Sequence, residues 1–205
     1  MRPKTIPQEA LFLPGALGRT SLWEPVAALL THPAAKAHLG WPGFGATAPD
    51  PSIHSIDDLV AQVVARIAQP TALIAQSMGG VIAMRVALAR PDLITHLVLA
   101  VTSAGLDVAA LGGQDWRAAF HDANPLLPRW FSMYQEDLSA QLPSVAIPTL
   151  LLWGDSDPIS PVAVGERLAS LLPRAQLHII NGGDHNLAET HAPRVAALID
   201  AHLQS

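Results

Sequence analysis

Ser77 sits where a short apolar run meets a helical pattern: residues 71–80 read Thr-Ala-Leu-Ile-Ala-Gln-Ser-Met-Gly-Gly. A serine hydroxyl that attacks a substrate has to be lifted clear of a sheet on a tight strand-to-helix turn, which demands small residues two before and two after it. Ala75 and Gly79 meet that demand, with Gly80 as added relief. The hydroxyl is a weak nucleophile and needs a base within hydrogen-bond reach, itself held in one tautomer by a carboxylate. His185 is the candidate base, because it lies in the Gly-rich loop Asn181-Gly-Gly-Asp-His185 after a predicted strand and just ahead of a helix. His191, farther from the strand end and beside that helix, reads as a solvated loop residue. The carboxylate must come from the turn after Leu150-Leu-Leu-Trp-Gly154, where Asp155 and Asp157 compete. An Asp that only shapes a turn or caps a helix is common at such a place.

These groups need strands to carry them. Short runs rich in Leu, Ile and Val predict strands near residues 10–13, 36–39, 72–75, 96–101, 149–153 and 176–180. Helical patterns lie between them near 22–30, 56–67, 78–89 and 162–172, with a last one near 194–203. Such alternation predicts an α/β fold, a parallel sheet of about six strands joined by right-handed helical crossovers. Strands that read as continuous apolar runs should be covered on both faces.

Residues 104–146 break the rhythm. Gly112-Gly113, Pro125, Pro128 and Pro143 interrupt any long element there. The same stretch holds Trp116, Phe120, Trp130, Phe131 and Tyr134, half of all the Trp, Tyr and Phe residues in the chain. The expectation is a single domain spanning 1–205, with a small helical cap of two or three short helices inserted at about 104–146. Trp116, Trp130 and Phe131 are then the candidate wall of a substrate pocket. The alternative is a helical excursion whose aromatics only pack on the core.

Serine, acid and histidine in that chain order, with the elbow at 75–79 and the Gly-rich histidine loop followed by Glu189 and Pro193, resemble the α/β-hydrolase superfamily. The resemblance runs from about Ala10 to the C-terminus and implies the α/β-hydrolase fold with its cap over the active site. It points to Asp157 as the acid, since the motif there resembles Gly-x-x-Asp followed by a hydrophobic residue and proline, here Ile159 and Pro161. It also implies two backbone donors for a developing oxyanion, the N–H of Met78 after the nucleophile and the N–H of Ala16 in the loop after the first strand. This chain departs from the family pattern at three points. Ala75 stands where glycine is usual, Pro14-Gly15 where His-Gly is frequent, and Gly40 opens a Gly-Trp-Pro-Gly-Phe-Gly turn that usually begins with Asp. The antiparallel hairpin that opens most such sheets is expected to be missing, because only nine residues precede the first predicted strand.

The implied activity is that of a serine hydrolase resembling small bacterial carboxylesterases, cleaving esters of small or medium acyl groups through an acyl-enzyme on Ser77. Thioesterases and carbon–carbon bond hydrolases use the same triad and stay open as alternatives. A catalytically silent ligand-binding protein of the same fold is the alternative from another class. A serine at the elbow argues against haloalkane dehalogenases and epoxide hydrolases, which place Asp there.

Composition limits the rest. Of 205 residues half are hydrophobic and only 14% charged, against about 25% in an average soluble domain. The net charge of −5, with Lys and Arg scattered, argues against a nucleic-acid partner. The expected partner is a small-molecule ester or thioester. No cysteine is present, which excludes disulfides and thiol catalysis. None of the nine histidines stands at zinc-ligand spacing with a Glu partner, so no metal and no other cofactor is expected. Residues 10–14 are too short an apolar run for a signal peptide, and no run approaches the ~20 residues that span a bilayer, so the expected location is cytoplasmic.

Overall fold

The computed structural model describes residues 6–204. Six strands form one all-parallel sheet: β1 (Glu9–Leu13), β2 (Ala35–His38), β3 (Thr71–Gln76), β4 (Ile94–Ala100), β5 (Thr149–Gly154) and β6 (Ala175–Ile180), in the spatial order β2-β1-β3-β4-β5-β6. Seven α-helices connect or follow them: α1 (Glu24–Leu29), α2 (Ile56–Arg66), α3 (Met78–Ala89), α4 (Arg117–Ala123), α5 (Val162–Leu171), α6 (Leu187–Thr190) and α7 (Ala192–Leu203). This is the fold that the alternation of apolar runs and helical patterns predicts.

The chain leaves β1 for β2 on one side, then returns to place β3 on the other. Right-handed crossovers that run in opposite directions along a sheet leave their helices on opposite faces. So α1, which packs on α7, covers one face, and α2 and α3, which pack on each other, cover the other. Between β1 and β3 no connection passes over the carboxyl ends of the strands, and a crevice opens there. The pairing of Leu13 with Ala75 brings the loop after β1 level with the turn after β3.

Strand burial follows position in the sheet. Every residue of β1, β3 and β5 is buried, while the edge strands β2 and β6 are mostly half-buried or exposed. That is why the edges carry Lys36, His38, Gln176 and His178, and the inner strands carry aliphatic runs.

Boundaries differ from the sequence expectation where proline decides them. The pattern near 22–30 splits into a 3₁₀ turn at Thr20–Trp23 and α1, which starts with Pro25 in its first turn. Proline is preorganised for that position because the N–H it lacks would be unpaired anyway. Likewise Pro193 lies in the first turn of α7, which begins at Ala192 rather than 194. Residues 104–146 contain only one α-helix, α4 of seven residues, with 3₁₀ turns at Ala109–Leu111, Trp130–Met133 and Leu142–Ser144. The expected two or three short helices are here one short α-helix and three 3₁₀ turns, with Pro125 and Pro128 between α4 and the turn at Trp130–Met133.

Candidate active site

Ser77 occupies the turn between β3 and α3 with φ 53° and ψ −122°, a conformation L-residues rarely adopt. Its amide donates to the Ala100 carbonyl (3.0 Å), and its own carbonyl accepts from the Gly80 amide (2.9 Å). The small flanking residues have visible causes. A Cβ at Gly79 would meet the Pro14 carbonyl oxygen at 2.5 Å and that of Leu13 at 2.8 Å, because α3 starts hard against the end of β1. Ala75 is fully buried between neighbouring strands, where its single methyl fits.

His185 lies in the loop after β6. Its Nε2 is 3.0 Å from Ser77 Oγ, and its Nδ1 is 2.7 Å from Asp157 Oδ2. The other oxygen of Asp157 accepts from the Ile159 (2.9 Å) and Ser160 (3.2 Å) amides, and the carboxyl side chain is fully buried. A carboxylate engaged by two amides is an acceptor, so Nδ1 carries the proton and Nε2 faces Ser77 with its lone pair. Asp155 points elsewhere, accepting from the Gly182 amide (2.7 Å) and the Ser156 hydroxyl (3.1 Å), and so ties the end of β5 to the histidine loop. His191 stands at the start of α7 with its Nδ1 2.9 Å from Thr190 Oγ1.

Ala16 and Met78 line the same cavity as Ser77 and His185. Neither amide donates to a protein acceptor among the described residues. Met78 is the first residue of α3, where helical amides are unpaired and the dipole favours negative charge.

Several residues that hold this arrangement escaped the sequence reading. The Trp23 indole donates to the Leu13 carbonyl (3.1 Å), and the Trp41 indole donates to the Pro14 carbonyl (3.0 Å). Both tryptophans are fully buried, so the loop that carries Ala16 is braced by indoles despite the proline at position 14. Trp41 belongs to the Gly40–Gly45 motif, which could have signalled the contact. Gln76 donates from Nε2 to the His185 carbonyl (2.9 Å), linking the nucleophile's strand to the histidine loop; its place next to Ser77 was the only available signal.

The cavity has a volume of about 790 Å³. Trp116, Phe120 and Phe131 form part of its wall, with Trp116 stacked on Phe131 at 6.0 Å between ring centroids. Trp130 is a correction to the expected wall. It does not line the cavity but packs edge-on against Phe44 (5.7 Å) and Phe131 (6.3 Å), on the far side of the ring that does. Within this 3₁₀ turn Phe131 and Ser132 are the buried residues that face the cavity. Among the described residues no group of three His, Asp or Glu side chains stands together as a metal site, and no helix is long and apolar enough to cross a membrane.

Residues 10–132 match the alpha/beta hydrolase family, and residues 122–192 match the alpha/beta hydrolase fold. The chain belongs to the alpha/beta hydrolase family. A thermophilic esterase from Thermogutta terrifontis superposes with a TM-score of 0.80 at 19% identity, over 97% of this chain and 90% of that one. A meta-cleavage product hydrolase superposes with a TM-score of 0.75 at 18% identity, over 96% of this chain and 91% of that one. In sequence, a poly(3-hydroxyalkanoate) depolymerase of Ectopseudomonas oleovorans is 47% identical over 57 residues, which is 28% of this chain and 20% of that protein. The chain spans between 9% and 27% of the lengths of the curated relatives it matches.

Proposed function

We propose that the protein is a serine carboxylesterase that works through an acyl-enzyme on Ser77, with His185 as base and Asp157 as its orienting acid. The observation that carries this reading is the unbroken hydrogen-bonded chain from Asp157 Oδ2 through His185 to Ser77 Oγ, ending at an apolar-walled cavity. A ligand receptor has no need of a buried carboxylate spent on one imidazole.

Ser77 Oγ attacks the ester carbonyl carbon while His185 Nε2 takes its proton. The resulting imidazolium is stabilised by Asp157, and the oxyanion by the amides of Ala16 and Met78. Collapse expels the alcohol, which takes the proton from Nε2. Water then attacks the acyl carbon with His185 again as base, the acid departs, and the proton returns to Ser77 Oγ. The aromatic wall receives the acyl chain.

Labelling with a fluorophosphonate, with mass spectrometry of the modified peptide, tests the nucleophile. The expected product is a single adduct on Ser77, together with turnover of short-chain nitrophenyl esters. A panel that adds an acyl thioester and a ring-cleavage diketo acid tests the bond cleaved. Faster kcat/KM on either of those than on any ester would replace the carboxylesterase reading with a thioesterase or carbon–carbon hydrolase.

A further inference from the structure

The elbow is held from a second direction, by the turn that follows β4. Val101 has φ 42°, Ala104 φ 45° and Gly105 φ 89°, so three of five consecutive residues adopt left-handed backbone. A β-branched residue in that region is an outlier that surrounding structure must impose. Here Val101 is fixed by its amide, which donates to the Leu152 carbonyl (3.1 Å), and by burial at 1% exposure. The contortion carries the chain from the sheet into residues 104–146 and delivers the intervening side chain to one place.

That side chain is Thr102, 1% exposed. Its hydroxyl donates to the Ser77 carbonyl oxygen at 2.6 Å and accepts from the Ala104 amide at 3.1 Å. Val101 and Ser103 line the cavity and Thr102 does not, so its hydroxyl faces the elbow and away from substrate. The helix start is shaped around it: a Cβ at Gly80 would lie 2.5 Å from Thr102 Oγ1 and 2.6 Å from both its carbons. Gly80 is therefore glycine because Thr102 occupies the space a methyl would need. Ser77 keeps an unfavourable φ, and its carbonyl has two partners that hold it there, the Gly80 amide and the Thr102 hydroxyl.

We propose that Thr102 is a positioning residue for the nucleophile: its hydroxyl clamps the Ser77 carbonyl and so keeps Ser77 Oγ raised toward His185, coupling the elbow to the first residues of the aromatic segment. The inference rests on Ser77 being the nucleophile. Thr102→Val keeps the shape and removes the donor, while Thr102→Ser keeps the donor and loses a methyl. The second-order rate of fluorophosphonate labelling and kcat on a short-chain nitrophenyl ester are expected to fall about tenfold in Thr102→Val, with KM within about twofold. Thr102→Ser should recover most of both rates. A residue needed only for packing gives the opposite pattern, with Thr102→Val near wild type and Thr102→Ser the weaker protein, and that result overturns the proposal. If Thr102→Val does not fold, Gly80→Ala substitutes for it, since the added methyl pushes the hydroxyl off the Ser77 carbonyl. A folded Gly80→Ala labelled at the wild-type rate also overturns it. Wild-type protein that takes no label at Ser77 removes instead the reading on which the proposal rests.

Discussion

The strand-end region that holds Ser77, Asp157 and His185 and the aromatic segment at 104–146 are built on different principles. In the first, each of the three side chains lies in the turn or loop after a strand, and hydrogen bonds tie those segments to neighbouring ones: the Ser77 amide to the Ala100 carbonyl, and the Gly182 amide to the Asp155 carboxylate. In the second, one short α-helix and three 3₁₀ turns are joined by exposed loops, and order comes from ring-on-ring contacts among Trp116, Phe120, Trp130 and Phe131. Aromatic contacts tolerate shifts that a hydrogen-bond chain does not. A frame that fixes chemistry beside a wall that can be reshaped is a division between rate and specificity, and substitutions in the two regions should separate those quantities.

The largest effect is expected at the nucleophile. Ser77→Ala should lower kcat by about 10⁴–10⁶ while leaving the thermal melt within a few degrees of wild type. More than a tenth of wild-type turnover in the folded variant would place the chemistry elsewhere. Next comes the acid. Asp157→Asn should lower kcat by about 10⁴, because the amide offers His185 the wrong partner. Asp155→Ala should instead cost roughly 0.5–2 kcal/mol of stability and leave kcat largely intact. A folded but dead Asp155→Asn beside an active Asp157→Asn would exchange the two roles.

Stability of the frame has its own pH signature. His202 on α7 packs edge-on against His96 of β4 at 5.1 Å, and burial first, then the charge of His96, pushes its pKa from 6.5 down to about 4. The unfolded chain therefore binds a proton that the folded chain refuses. The contribution of His202 is full above about pH 6.5 and is lost as pH falls toward 4, about 3 kcal/mol in all. Melting curves between pH 7 and 4 should show a decline that His202→Gln flattens, and an equal decline in that variant would assign it to other groups.

The smallest effects belong to the wall. Trp116→Ala removes a lining ring, so the ratio of kcat/KM for long over short acyl esters should rise several-fold with Ser77 still labelled. Trp130→Ala removes packing behind the wall and should cost about 1–3 kcal/mol in a denaturant titration without changing that ratio. A matching shift of acyl preference in Trp130→Ala would show that the wall moves as one piece and erase the distinction.

What could be read in advance follows the same divide. Fold class, the six strands and the helices between them were legible because inner strands must be apolar on both faces and helices must be amphipathic, and both demands write a period into the chain. Ser77, His185 and the aspartate pair were legible because a tight turn at a strand end restricts residue size and type locally. The sequence by itself determined those things. Only the tertiary structure decided that Trp23 and Trp41 brace the loop carrying Ala16, that Gly80 makes room for Thr102, and that Trp130 turns away from the cavity while Phe131 faces it. Each of these is a contact between segments far apart in sequence or a choice of side-chain direction in irregular backbone. Neither leaves a periodic trace, since the partner that selects the residue is supplied by the fold and not by its neighbours in the chain.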